Sequence, residues 1–334
     1  MTIEAPPENP VTPTEQAAPP RRRLTSAGIE RWTLPVVFVL TIVLFSVLKP
    51  AVFPTANNFI AIVQQNLPLL MVVGGVCVVL ALREFDLSFG YVAGASGALA
   101  VQSMVLFEAN WIVAVLLGVA FGALLGAVNG FLVAYTRLPS FIGTLATGAT
   151  IQGVMLAISN QTIFEGISPD YVLITGASIG SFPIDIIVVA VLLLAIGFLL
   201  RFTVFGRHAA AIGDNPVAAR IAGVNVKRIQ LLSFILVGAC AGTSGILLTS
   251  QAGQYYPDPG ASLLLPAFAA AYLSLSLGRG WRFNVGGAVL GALFLAVVST
   301  GVTMLNQPSW LGQLLQGLIL LVAILALNRR RGTR

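Results

Sequence analysis

The sequence predicts an all-α integral membrane protein of about ten transmembrane helices with an inverted internal repeat. Three observations carry this. Of 334 residues, 57% are hydrophobic and 9% are charged, with a mean hydropathy of +0.92; a soluble domain carries about 25% charged residues and needs them to cover its surface. Apolar runs long enough to cross a bilayer recur along the chain. The basic residues fall almost entirely on one side of the membrane once the runs are threaded through it. The pI of about 9.8 is then a consequence of topology, and nucleic acid is not an expected partner.

Residues 1–31 hold six prolines, four glutamates and the run Arg21-Arg22-Arg23. Such a segment cannot bury a core and is expected to be a disordered tail, its basic cluster marking the cytoplasmic side and touching anionic lipid. The apolar run that follows has no small-residue cleavage site, so no signal peptide is expected. Spans are expected at 34–48, 59–82, 87–106, 111–135, 141–159, 184–202, 229–250, 263–277, 285–304 and 310–327. They form one transmembrane domain over 32–328, with a cytoplasmic loop at 203–228 and a basic cytoplasmic tail at 329–334. With the N-terminus inside, 17 of the 18 basic residues lie inside and only Lys49 lies outside. An error of one in the count of central spans would have split the charges between the two sides. Both termini are therefore expected inside.

The hexapeptide GALLGA at 122–127 returns as GAVLGA at 287–292, and PSFIGTL at 139–145 returns as PSWLGQL at 308–314. Five spans separate the copies. Because five is odd, the second half enters the membrane inverted, as in transporters whose solute path runs between two such halves. Gly118, Gly122, Gly126 and Gly130 recur every fourth residue. Close helix packing is the preferred reading of that stripe, with a glycine groove lining a pore as the weaker one. Cys77 and Cys240 sit in apolar runs and are expected to be buried and unpaired.

Polar groups at membrane depth stand out. Gln64, Gln65 and Asn66 precede Pro68, which can kink a helix; the trio suggests either a wet cavity or interhelical hydrogen bonds. Asn129 is similar but isolated. In REFDLSFG (83–90) Asp86 can cap the third span, or stand with Ser88 beside a solute path, and the two roles can coexist. Asp185 is expected at the outer interface. No G-x-x-x-x-G-K-[ST] nucleotide motif, metal cluster or Ser/His/Asp set occurs, so no catalytic residue, metal or cofactor is expected in this chain. No chain of ionisable groups crosses the core as an ion- or proton-coupled secondary transporter would require. That reading is kept as the alternative.

The stretch GDNPVAARIAGVNVKR (213–228) has the signals of a short water-facing helix. Asp214 or Asn215 can cap it, Pro216 suits its first position and Gly223 its C′ position. So short a helix needs a partner to dock against, and Ala218 with Ala219 offers a smooth face for one. A carrier without its own engine that holds such a helix inside suggests a lever for an external ATPase.

These residues resemble the permease subunits of ribose-type ABC importers, in the large family that includes branched-chain amino acid permeases. The likeness rests on GRHAAAIGDNPVAARIAGV (206–224), DLSFG (86–90), Asn129–Val133 and Pro139–Leu145. One departure is Arg83-Glu84-Phe85, where the sugar permeases usually carry Gly-Gly-Ile or similar. The resemblance implies a bacterial inner-membrane protein that is not itself an enzyme. It implies a second permease copy or paralogue, cytoplasmic ATPase subunits that bind ATP and Mg, an extracytoplasmic solute-binding protein and a small polar solute, a sugar first. It makes 215–223 the coupling helix. Few bases face outward, so Tyr255 and Tyr256 are expected to help dock the binding protein.

Overall fold

The computed structural model describes residues 32–159, 163–180, 182–257, 260–277 and 282–331. The expected tail 1–31, the last three residues, Asp258 and Arg279 lie outside the described residues. The rest is helical apart from short connections. In chain order the helices are α1 (Thr33–Leu48), α2 (Ala56–Gln65), α3 (Leu67–Ala81), α4 (Phe89–Phe107), α5 (Trp111–Thr136), α6 (Ser140–Ser159) and α7 (Pro169–Gly176). After a small antiparallel pair, β1 (Ser178–Ile179) with β2 (Phe182–Pro183), come α8 (Ile184–Phe202), α9 (Val204–Asp214) and α10 (Pro216–Ile221). The chain continues with α11 (Val226–Ala252), α12 (Leu264–Leu277), α13 (Val285–Met304) and α14 (Ser309–Arg331).

Among the described residues, six helices are long and apolar enough to cross a membrane, and seven if the bent pair α2–α3 counts as one span. Thr33–Leu48, Ala261–Leu277 and Trp310–Val322 are shorter apolar helices. The outer faces are hydrocarbon: Leu116, Leu124 and Phe131 of α5 and Val191, Leu194 and Phe198 of α8 are exposed. Water would not tolerate such surfaces, and lipid does.

Burial explains why α3 has no polar face. Every residue from Leu67 to Leu80 is buried, because α3 is surrounded by α8, α11, α12 and α13. A helix apolar on all sides belongs in such a position. The second central helix, α11, packs most extensively on α5, and the glycine stripe is the reason. A Cβ on Gly122 would stand 2.8 Å from the Gly242 Cα, and one on Gly238 2.9 Å from the Gly126 Cα. The two backbones touch, so the stripe packs helices. Cys77 and Cys240 are free and buried, as expected.

Packing adds to one expectation and corrects another. Asp185 is buried at 2% exposure, because the first turn of α8 lies against α2 and receives the Gln64 Nε2 donor at 3.1 Å. Tyr255 is also buried, at 1% exposure. Its backbone exchanges hydrogen bonds with Phe164 and the two rings lie 6.1 Å apart. It closes a loop and is not available for docking, whereas Tyr256 is exposed.

Candidate functional site

Three polar assemblies interrupt the apolar bundle. The first surrounds the DLS loop between α3 and α4. Thr147 Oγ1 on α6 donates to Asn129 Oδ1 on α5 at 2.6 Å. Asn129 Nδ2 donates to Ser88 Oγ at 2.7 Å, and Ser88 Oγ donates to Asp86 Oδ1 at 2.6 Å. The same carboxylate oxygen accepts the Ser88 backbone N–H at 2.7 Å. The N-cap position of α4 is Ser88 itself, without a side-chain cap bond; Asp86 is therefore not the N-cap residue, though it takes a backbone N–H at that end. Ser140 Oγ and Thr144 Oγ1 accept the Phe85 and Leu87 N–H groups at 3.0 and 2.9 Å. Asp86, Ser88 and Asn129 are all buried. The expected pair Asp86–Ser88 and the isolated Asn129 are thus one closed network, in which each donor has its acceptor. Ser140, Thr144 and Thr147 were missed in the sequence. Their i, i+4, i+7 spacing on one helix face was the available signal.

The second assembly ties the connection 163–183 to α11. Tyr171 Oη and Thr249 Oγ1 are 2.6 Å apart, Thr175 Oγ1 and Ser250 Oγ 2.9 Å. Gln64 Nε2 donates to the Thr175 carbonyl at 2.8 Å as well as to Asp185.

The third lies where α2 breaks from α3, with a bend of 52°. Pro68 has no N–H, so the Gln64 carbonyl four residues back loses its helical partner. The Gln251 side chain supplies one, with Nε2 donating to the Gln64 oxygen at 2.7 Å. Beside this break is a cavity of about 150 Å³ lined by Gln65, Asn66, Ser262, Pro266, Ser299 and Gln316 among others, none of them charged. The break parts the expected trio: Gln65 and Asn66 line the cavity, while Gln64 turns away toward Asp185 and Thr175. The polar trio therefore serves both the cavity and interhelical bonding. Asp86, Ser88 and Asn129 do not reach the cavity.

The short helix α10 stands at another surface. Asn215 caps it, its Oδ1 accepting the Val217 and Ala218 N–H groups at 3.0 Å each. Pro216 holds the first position. At the other end Gly223 has φ +85, and the Gly223 and Val224 N–H groups return to the Arg220 and Ala219 carbonyls, the Schellman pattern that needs a residue without Cβ strain. Asp214 is not the cap; it pairs with Arg282 at 2.8 Å, both side chains exposed. The alanine pair does not form the free face. Ala219 is 4% exposed and packs inward with Leu82, Ala209, Ile212, Val226 and Ile229. Ala218 is exposed, and beside it Val217 and Ile221 stand out at 66% and 83% exposure.

An apolar helical bundle that keeps closed polar seams and an uncharged cavity inside a lipid-facing shell is a multi-pass membrane protein built around polar contents. The chain belongs to the family described as the permease component of branched-chain amino acid transport systems, whose pattern matches residues 58–324. It is similar to the ribose import permease protein RbsC of Escherichia coli K12, at 30% identity over 95% of this chain and 100% of the relative. It is also similar to the autoinducer 2 import system permease protein LsrC of Klebsiella pneumoniae, at 35% identity over 87% of this chain and 84% of the relative. The xylose transport system permease protein XylH of Haemophilus influenzae is 26% identical over 90% of this chain and 97% of the relative.

Proposed function

We propose that this chain is the membrane-spanning subunit of an ATP-driven ABC importer that moves a small neutral polar solute, a sugar or close analogue, by alternating access. The observation that carries this is alignment over most of the chain with permeases named for ribose, allose, xylose and autoinducer 2 import. The uncharged lining of the cavity agrees with such solutes. Within this reading the six long helices, the bent pair and the three shorter helices make ten spans. The repeated PSFIG and PSWLG segments open α6 and α14 as corresponding elements of an inverted repeat. Both termini and the loop 203–228 face the cytoplasm, following the basic residues.

The helix α10 is the coupling lever for a cytoplasmic ATPase pair that binds ATP and Mg. A second permease copy or paralogue and an extracytoplasmic solute-binding protein complete the transporter. The alternative, an ion- or proton-coupled carrier, gains no support: the buried acids among the described residues, Asp86 and Asp185, each sit in a hydrogen-bonded set and do not form a relay. The test is purification of the tagged chain from native membranes in mild detergent. An ATPase subunit identified by mass spectrometry is the expected result. A chain that purifies intact and free of any ATPase overturns the reading.

A further inference from the structure

The polar groups of the bundle divide into two kinds. Around Asp86 and around Tyr171 the side chains satisfy one another. In the cavity at the α2–α3 break three side chains do not. The Gln65, Ser299 and Gln316 side chains make no hydrogen bond to any described residue. Unpaired amides and hydroxyls between membrane helices carry a desolvation cost unless water or a ligand meets them. The cavity is open at the surface, with Gln65 exposed and Ser299 and Gln316 half-buried, so either can enter.

We propose that this cavity is a solute-binding site within the membrane domain, and that Gln65, Ser299 and Gln316 hold a neutral polyhydroxylated solute there during passage. The inference rests on the importer reading above. Its chemistry comes from the donor set. A glutamine amide both donates and accepts, and so does a serine hydroxyl; two such groups side by side match a vicinal diol, whose hydroxyls also do both. Among the described residues no charged side chain lines the cavity, so an ionic solute finds no counter-charge there for the hydration it would lose. Leu69, Pro68 and Leu263 form apolar wall beside the amides and suit the C–H faces of a sugar ring. The site draws on both halves of the chain, α2–α3 from the first and α12, α13 and α14 from the second. It would therefore change shape if the halves rock against one another.

The test uses the whole transporter in membrane vesicles. Ser299→Cys and Gln316→Cys are introduced singly; both native cysteines are buried, which keeps background labelling low. A charged, water-soluble thiol reagent is expected to label both positions but not Leu194→Cys on the lipid-facing side of α8, and a transported sugar is expected to slow the labelling. In parallel, Gln316→Leu and the milder Ser299→Ala are compared with wild type for ATP-driven uptake of ribose and xylose. Uptake by Gln316→Leu is expected to fall about 10-fold, with the melting temperature kept. Unchanged uptake in both variants, or cysteines that never react, overturns the site while leaving the importer reading intact. A wild type that moves no neutral sugar with ATP overturns both.

Discussion

The Asn129 amide on α5 donates to the Ser88 hydroxyl at the start of α4 across 2.7 Å. Through this one bond a helix with a lipid-facing side is tied to the DLS loop. Thr147 stands behind the donor and Asp86 in front of the acceptor, so the arrangement is a chain of hydroxyl, amide, hydroxyl and carboxylate that joins α6, α5, α4 and the loop. Its members are buried or nearly so, and each leaves an orphan when its neighbour is removed.

Asn129→Leu is therefore expected to destabilise the protein by about 1–3 kcal/mol, the cost of stranding buried polar groups. Thermal unfolding of the detergent-solubilised chain reads this. Thr147→Val in the same background is expected to add less than it costs alone, because the network is already broken. Full additivity would show that the bonds act separately.

Backbone contact between α5 and α11 makes a second prediction. Gly126→Val is expected to prevent stable packing, since even a Cβ there stands 3.0 Å from the Gly238 Cα. Gly153→Ala on α6 meets nothing within 4 Å and is expected to gain slightly in helix stability, by up to about 1 kcal/mol. Monodispersity and melting temperature of the two purified proteins distinguish them; equal behaviour would refute the packing account of the stripe.

The two sides of α10 separate fold from partner binding. Ile221→Arg lies on the exposed side, and is expected to leave the melting temperature unchanged while ATPase co-purification is lost. Ala219→Arg drives a charge into the packed side and is expected to lower stability together with co-purification, within the range of about 3 kcal/mol or more that an unpaired buried charge can cost. If Ile221→Arg retains its ATPase, α10 is not the docking element.

At the C-cap of the same helix, Gly223→Ala places a Cβ in the left-handed region. A cost of about 1 kcal/mol is expected, read as a small fall in melting temperature. Asp214→Asn removes only an exposed ion pair and is expected to change stability by less than about 1 kcal/mol.

The long helices were legible because each needs an apolar run of nearly fixed length, and their observed limits fall within a few residues of those expected. The cap, the proline and the glycine of α10 were legible for the same local reason. Its free face was not, since a helix of six residues has too few positions to show periodicity. The separation of Gln64 from Gln65 was also hidden: neighbouring residues in a helix point about 100° apart, and only the bend shows which side meets the cavity. The burial of Asp185 and of Tyr255 was hidden as well, because the short helix α7 and the pairing with Phe164, which bury this region, carry little local signal. The network of Asp86 with Asn129 and Thr147 joins residues far apart in the chain, and such pairings are written in packing.

The central claim is ATP-driven import of a neutral sugar. Its most direct measurement is uptake of radiolabelled ribose, xylose and allose by proteoliposomes holding the complex purified from native membranes, with ATP and Mg inside and the solute-binding protein outside. Uptake of at least one sugar that requires ATP hydrolysis and persists when ion gradients are collapsed is predicted. Uptake that proceeds without ATP and stops when a proton or sodium gradient is dissipated would contradict the account.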